Sequence, residues 1–207
     1  MDDFKMKNLI LFDLDGVLID SQSNMEYAWN AVQEAVSIST PFNDYFELVG
    51  RPFHEILELL GLTSMAHEIE KIFNSTSLSG LSLIKFYPDI VDTLTYLHHK
   101  GIKLGVVTSK DSMRTNKILN ELPFDFDVIQ TPNSKYRGKP SPDHLLISMA
   151  ITGVDPRDTI YIGDMQVDLE AAYRAKIDYL HAGWGYQEVS QEDAIVVSSI
   201  KDVINYL

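Results

Sequence analysis

The sequence predicts an α/β fold: a parallel β-sheet with helices on both faces and a small helical insertion after the first strand. Three observations point to it. Leu9 to Phe12 is a continuous apolar run that stops abruptly at Asp-Leu-Asp-Gly, as a strand buried on both faces does. Similar short runs recur downstream, each after a turn signal or a helical stretch. Between the first run and the rest, residues 20 to 85 carry helical periodicity and no convincing strand.

Taken in order, the first strand is Leu9 to Phe12, and the insertion follows. In it Met25, Trp29, Val32 and Val36 mark one amphipathic helix and Phe53, Ile56, Leu57 and Leu60 a second, with further helical pieces around Met65 to Phe73 and Leu81 to Phe86. The chain returns at Tyr87-Pro88. Pro88 starts a helix whose stripe is Ile90, Leu94 and Leu97 and which Gly101 closes. The later strands are Ile102 to Val107, Val128 to Ile129, Thr159 to Ile162, Tyr179 to Leu180 and Ala194 to Val197, with helices at Pro142 to Ala150 and Val167 to Ala175. The expected division is a discontinuous core, residues 1–19 and 87–207, interrupted by a helical domain at 20–86. Trp29 fits the stripe of an inserted helix, and packing is also the reading for Trp184.

Composition narrows the function. The 207 residues hold 17 basic and 30 acidic side chains, a net charge of −13, which repels nucleic acid and anionic membrane surfaces and requires a local basic exception for any anionic substrate. With no cysteine, disulfides, thiolate zinc sites and thiol catalysis are excluded, and carboxylates are the plentiful reactive groups. No apolar stretch approaches the length of a membrane span. Acid on both sides of the first apolar run is wrong for a secretory signal, so a cytoplasmic protein is expected, a monomer or homodimer. His54, His67, His98, His99, His144 and His181 share no metal-ligand spacing and receive no role.

In open parallel sheets ligands bind beyond the carboxyl ends of the strands. There the sequence places Asp13 and Asp15, Thr108 and Ser109, and Gly163-Asp164 with Asp168 a helical turn later. Asp13 and Asp15 flank a tight turn that Gly16 permits, so two carboxylates share a small volume; one is then expected as nucleophile, the other as protonated acid, with a divalent cation offsetting the repulsion. Asp-Gly also simply makes a turn, and Asp164 with Asp168 also suits a helix N-terminus, but four carboxylates at strand ends point to hard-cation chemistry suited to magnesium. Lys139 lies in Lys135-Tyr136-Arg137-Gly138-Lys139, the expected basic exception, where it can hold a phosphoryl oxygen while the Thr108 hydroxyl and backbone N–H groups add neutral donors. In the insertion, Gly50-Arg51-Pro52 can deliver a guanidinium to the non-reacting end of a substrate.

These residues resemble the haloacid dehalogenase-like hydrolase superfamily along nearly the whole chain. Phe12-Asp13-Leu14-Asp15-Gly16-Val17-Leu18 is similar to its first motif, Val107-Thr108-Ser109 to its second, Gly138-Lys139-Pro140 to its third and Gly163-Asp164 with Asp168 to its fourth. The insertion resembles the cap of the subclass that includes phosphoglycolate phosphatases and β-phosphoglucomutases. The resemblance implies a Rossmann-like core and a magnesium-dependent phosphatase acting on a small phosphorylated metabolite. Asp13 would form an aspartyl-phosphate, and Asp15 would protonate the leaving oxygen and then activate water. Asp13, the Asp15 main-chain carbonyl and Asp164 would hold magnesium with Asp168 supporting them, and Thr108 and Lys139 would bind the phosphoryl group, with Ser109 and Arg51 as substrate contacts. Asp15 argues against a dehalogenase, since displacing halide needs no protonated oxygen, and neither Lys71 nor Lys85 sits in a recognisable phosphonatase motif. A phosphomutase is the nearest alternative; a receiver-type phospho-acceptor module or a non-catalytic binding protein is the alternative of another class. Two departures stand out: Ala175-Lys176 replaces the usual Ala-Gly helix end, and the cap is short.

Overall fold

The computed structural model describes residues 7–189 and 192–207. In chain order the elements are β1 (Leu9–Phe12), β2 (Ile19–Asp20), α1 (Gln22–Val36), α2 (Phe42–Phe46), α3 (Phe53–Leu59), α4 (Ala66–Ser79), β3 (Lys85–Phe86) and α5 (Ile90–His99). There follow β4 (Lys103–Val107), α6 (Ser112–Leu119), β5 (Val128–Gln130), α7 (Asp143–Thr152), β6 (Thr159–Gly163), α8 (Gln166–Ala175), β7 (Asp178–Ala182) and β8 (Ile195–Val197). Six strands pair in parallel in the order β5-β4-β1-β6-β7-β8.

The expected α/β architecture is what forms, and alternation along β1 explains it. Ile10 and Phe12 join a core that includes Ile90, Leu94, Leu97 and Ile118, from α5 and α6 on one face. Leu9 and Leu11 join Leu145, Met149, Ala171 and Ala172, from α7 and α8 on the other. All four β1 side chains are fully buried, so the strand reads as an unbroken apolar run. Register then aligns the functional ends: Phe12 pairs with Val106 on one side and Ile162 on the other, so Asp13, Thr108 and Asp164 emerge at neighbouring strand ends.

Helices α1 to α4 form a third core around Trp29, Ile56, Leu57, Ile69 and Phe73. Trp29 packs as expected, stacked on Tyr45 at 4.6 Å with its indole N–H on Thr40 O. One expectation is corrected here. Leu81 to Phe86 is not a helical piece: a single 3-10 turn spans Leu81–Leu83, and Lys85–Phe86 pairs antiparallel with Ile19–Asp20. Two-residue strands are too short to show alternation, which is why the sequence pattern hides them. Lys176 closes α8 at φ 58°, ψ 42°, so the turn forms without glycine, in a left-handed conformation that costs a non-glycine residue about 1 kcal/mol.

Candidate active site

Asp13 leaves β1 with its N–H still in the sheet, bonded to Ile162 O at 2.9 Å. Its Oδ1 accepts from Leu14 N–H at 2.7 Å, and its Oδ2 lies 2.7 Å from Lys139 Nζ. That ammonium reaches Asp168 Oδ1 at 2.7 Å as well, and all three side chains are buried. Burial pushes Asp13 up to about 7, because Lys139 offsets only part of the desolvation and Asp168 adds repulsion. Burial alone would lower Lys139, but Asp13 and Asp168 together raise it, so it keeps its proton.

Asp164 is also fully buried, and its carboxyl is raised well above the usual range by burial, then by Asp168 and Asp13. Its Oδ2 accepts from Tyr186 N–H at 2.8 Å, whereas its Oδ1 is buried with no hydrogen-bond partner among the described residues. A β-carbon on Gly16 would fall 2.0 Å from Asp164 Oδ2, and Gly16 adopts φ +81°, so only glycine lets the Asp13–Asp15 turn lie against that carboxylate. Asp168 is committed otherwise: Oδ1 takes the Tyr161 hydroxyl at 2.9 Å besides Lys139, and Oδ2 takes Met165 N–H at 3.1 Å and Asp164 N–H at 3.3 Å.

Oxygens of Asp13, Asp164 and Asp168 lie within 4.8 Å of one another. With Asp15, four carboxylates here face the ammonium groups of Lys139 and Lys110. With all four ionised the imbalance would be two negative charges, what one divalent cation carries; without an ion the raised Asp13 and Asp164 relieve it by holding protons. Oxygen donors, an orphaned buried carboxylate oxygen and that imbalance all fit a hard cation such as magnesium. Asp164, with an unpartnered oxygen, and Asp13, with one partner on each oxygen, suit direct ligation, while Asp168, whose two oxygens hold four partners, suits support.

The family model described as haloacid dehalogenase-like hydrolase matches residues 10–182. The chain belongs to this family. Among curated relatives, a phosphoglycolate phosphatase of Aquifex aeolicus is 31% identical, over 89% of this chain and 88% of its own. A tyrosine-protein kinase PtkA of Mycobacterium tuberculosis is 28% identical, over 86% of this chain and 62% of its own. Among solved structures, a putative phosphoglycolate phosphatase from Lactobacillus plantarum superposes with a TM-score of 0.87 at 22% identity, covering 98% of this chain and 100% of that one. The likeness in structure extends to the fold.

In this haloacid dehalogenase-like hydrolase, every residue singled out in the sequence lies at the carboxyl edge of the sheet or over it. A cavity of about 60 Å³ is lined by Asp13, Asp15, Arg51, Thr108 and Ser109. Thr108 is held at the end of β4, its N–H on Gln130 O at 3.0 Å and its Oγ1 accepting from Lys110 N–H. Ser109 turns its hydroxyl to Gly50 O at 2.6 Å, joining the core loop to the insertion rather than pointing a free donor at a ligand. Arg51 is half-buried, and no hydrogen bond or ion pair holds its guanidinium among the described residues. Beside this cavity a larger one, about 520 Å³, reaches Thr108, Ser109 and Lys139 from between α3, α4 and the loop at 132–139.

Sequence reasoning missed four neighbours. Lys110 is buried 3.0 Å from Asp15 Oδ1, and Ser21 at the start of α1 gives its hydroxyl to the same oxygen. Tyr186 accepts from Ser21 N–H at 2.8 Å while its own N–H holds Asp164. Arg114 spans from α6 to α4, donating to Asp111, to Ser77 Oγ at 2.8 Å and to Asn74 Oδ1 at 2.8 Å. Only Lys110 carried a signal, as a cation directly after a polar strand end. His181 bridges Tyr179 Oη at 3.0 Å and Gln187 O at 2.8 Å, while His144 is buried beside the larger cavity with its Nδ1 unpartnered among the described residues. No helix among the described residues is long and apolar enough to cross a membrane.

Proposed function

We propose that this hydrolase is a magnesium-dependent, cytoplasmic phosphatase of small phosphorylated metabolites, working through an aspartyl-phosphate on Asp13. The observation that carries the reading is the convergence of Asp13 and Asp164, from separate strands, on one buried point with Lys139 2.7 Å from Asp13. The names of the relatives that are phosphatases support it. In this reading residues 20–86 act as the cap over a core of residues 1–19 and 87–207.

Asp13, the Asp15 main-chain carbonyl and Asp164 would hold the ion, supported by Asp168. Bound there, magnesium would neutralise charge on the phosphoryl oxygens and orient them. Lys139 and the Thr108 hydroxyl bind the phosphoryl group, Ser109 steadies the loop beside it and Arg51 faces the rest of the substrate. An Asp13 oxygen attacks phosphorus; the bond to the ester oxygen breaks, that oxygen keeps the electron pair, and Asp15 gives it a proton, releasing the alcohol. Water then attacks phosphorus and loses its proton to Asp15. The bond from phosphorus to Asp13 breaks, which frees inorganic phosphate and restores both carboxyl groups.

Asp13→Asn tests this. With an aryl phosphate and magnesium, phosphate release should vanish while the circular dichroism spectrum is unchanged, and residual wild-type turnover would refute the assignment. A phosphorylated-metabolite panel, scored for free phosphate against isomer formation, separates phosphatase from phosphomutase.

A further inference from the structure

Lys110 has no place in the chemistry described so far, yet it is one of the most constrained cations in the molecule. Its side chain is 4% exposed and its Nζ lies 3.0 Å from Oδ1 of Asp15. Its backbone is pinned on both sides, N–H to Thr108 Oγ1 at 3.1 Å and carbonyl to Thr115 Oγ1 at 3.3 Å. The neighbouring cation, Arg114, is already committed to Asp111, Ser77 and Asn74. Oδ1 of Asp15 therefore holds two donors, Lys110 and Ser21, while Oδ2 has no hydrogen bond among the described residues, and Asp15 lines the cavity with Asp13.

We propose that Lys110 is the positioning residue for Asp15, fixing the carboxyl group so that Oδ2 alone exchanges protons with the leaving group and with water. The inference rests on the phosphatase reading above. An aspartate carboxyl is nearly two-fold symmetric about its terminal torsion and rotates readily unless one oxygen is held. Lys110 holds Oδ1 in both halves of the cycle. When Oδ2 carries the proton, Oδ1 is a carbonyl oxygen that accepts from the ammonium. As the ester bond to phosphorus breaks and the proton passes from Oδ2 to the departing oxygen, negative charge spreads over both carboxylate oxygens. A cation already 3.0 Å from Oδ1 stabilises that charge without reorganising. In the second half, Oδ2 takes the proton of the attacking water and the carboxyl returns to its first state.

The test compares Lys110→Met, Lys110→Arg and Asp15→Ala in single-turnover release from phenyl phosphate, whose leaving group needs a proton, and dinitrophenyl phosphate, whose leaving group does not. K110M should slow phenol release by about 100-fold, the scale of a lost general acid, and dinitrophenol release by less than about threefold. K110R, which keeps charge and donors, should recover about tenfold of the phenol loss. Equal slowing of both esters by K110M, or a change confined to KM, would overturn the inference. Should K110M fail to fold, Lys110→Gln, which is one atom shorter and keeps an N–H donor pair without the charge, is judged by the same comparison. D15A separates the two layers. If it slows both esters alike, Asp15 is not the general acid and the reading beneath fails; if it discriminates between them and K110M does not, only the role of Lys110 fails.

Discussion

The buried charge of Asp13 makes the metal-free protein weaken as pH rises, and Asp13→Asn should remove that weakness. In the fold the carboxyl is raised from 3.8 to about 7, so the folded chain binds this proton more tightly than the unfolded chain. The resulting stabilisation is complete below the unfolded value and is lost as pH climbs through 7. Three pH units at roughly 1.4 kcal/mol each amount to about 4 kcal/mol between pH 4 and pH 8. Asparagine offers one acceptor where Leu14 N–H and Lys139 now use two, so the variant loses about 1 kcal/mol at every pH. Near pH 4 it should thus be slightly less stable than wild type; near pH 8, in a chelator, more stable by about 3 kcal/mol, roughly 6–12 °C in Tm for a chain this size. Urea midpoints measured side by side across that range follow the difference, to which Asp164 and Lys139 contribute because Asp13 takes part in the shifts of both. Magnesium at pH 8 should close the gap by stabilising the wild type alone. A difference that stays constant with pH, or shrinks as pH rises, would refute the argument that desolvation outweighs Lys139 at Asp13.

Two further outcomes follow from contacts around the same carboxylates. A β-carbon on Gly185 would lie 2.2 Å from Asp164 Cβ, so Gly185→Ala must displace Asp164 or the loop that holds it; titration calorimetry should find magnesium binding weakened about tenfold or more. Arg51→Ala should raise KM on the true substrate about tenfold, the value of one charge-assisted hydrogen bond, with kcat within about twofold, and an unchanged KM removes Arg51 from the site.

What the sequence made legible follows from how each feature is encoded. Strand β1 was readable because burial on both faces leaves no polar position in it; β4 is apolar after Lys103 and starts one residue later than the expected run, and β6 is apolar after Thr159 and ends one residue beyond it. Helix α2 has five residues, and β2 and β3 two each, so none completes enough periods to register as a pattern. The four aspartates were readable because an apolar run ending in acid is itself a signal. Lys139 was readable as a charge out of place and Asp168 as a candidate ligand, but the pairing of the two was not, because a contact across 29 positions leaves no local trace. Ser21 and Arg114 are hidden for the same reason: Ser21 reads as an ordinary helix cap and Arg114 as a solvated helical face, although both are buried.

The contacts between the insertion and the sheet edge differ in kind from those within either part. The insertion meets the rest of the chain in apolar contact at two places: Tyr186 stacks obliquely on Phe46 at 4.9 Å, and Leu81, Ile84 and Phe86, where the insertion returns, pack on the core that holds Ile10 and Phe12. Polar contacts cross the junction as well: Ser109 to Gly50, and Arg114 to Ser77 and Asn74. Such hydrogen bonds contribute about 1 kcal/mol each and are exchangeable for water, whereas opening either core would expose many fully buried side chains at about 25 cal/mol per Å² of apolar area. Moving helices α1 to α4 as a unit leaves their own core intact, and the hydrogen bonds that would break on such a movement sit beside Asp15, Thr108 and Arg51. Access to the carboxylates and the geometry of the residues that surround them are thus governed by the same few bonds.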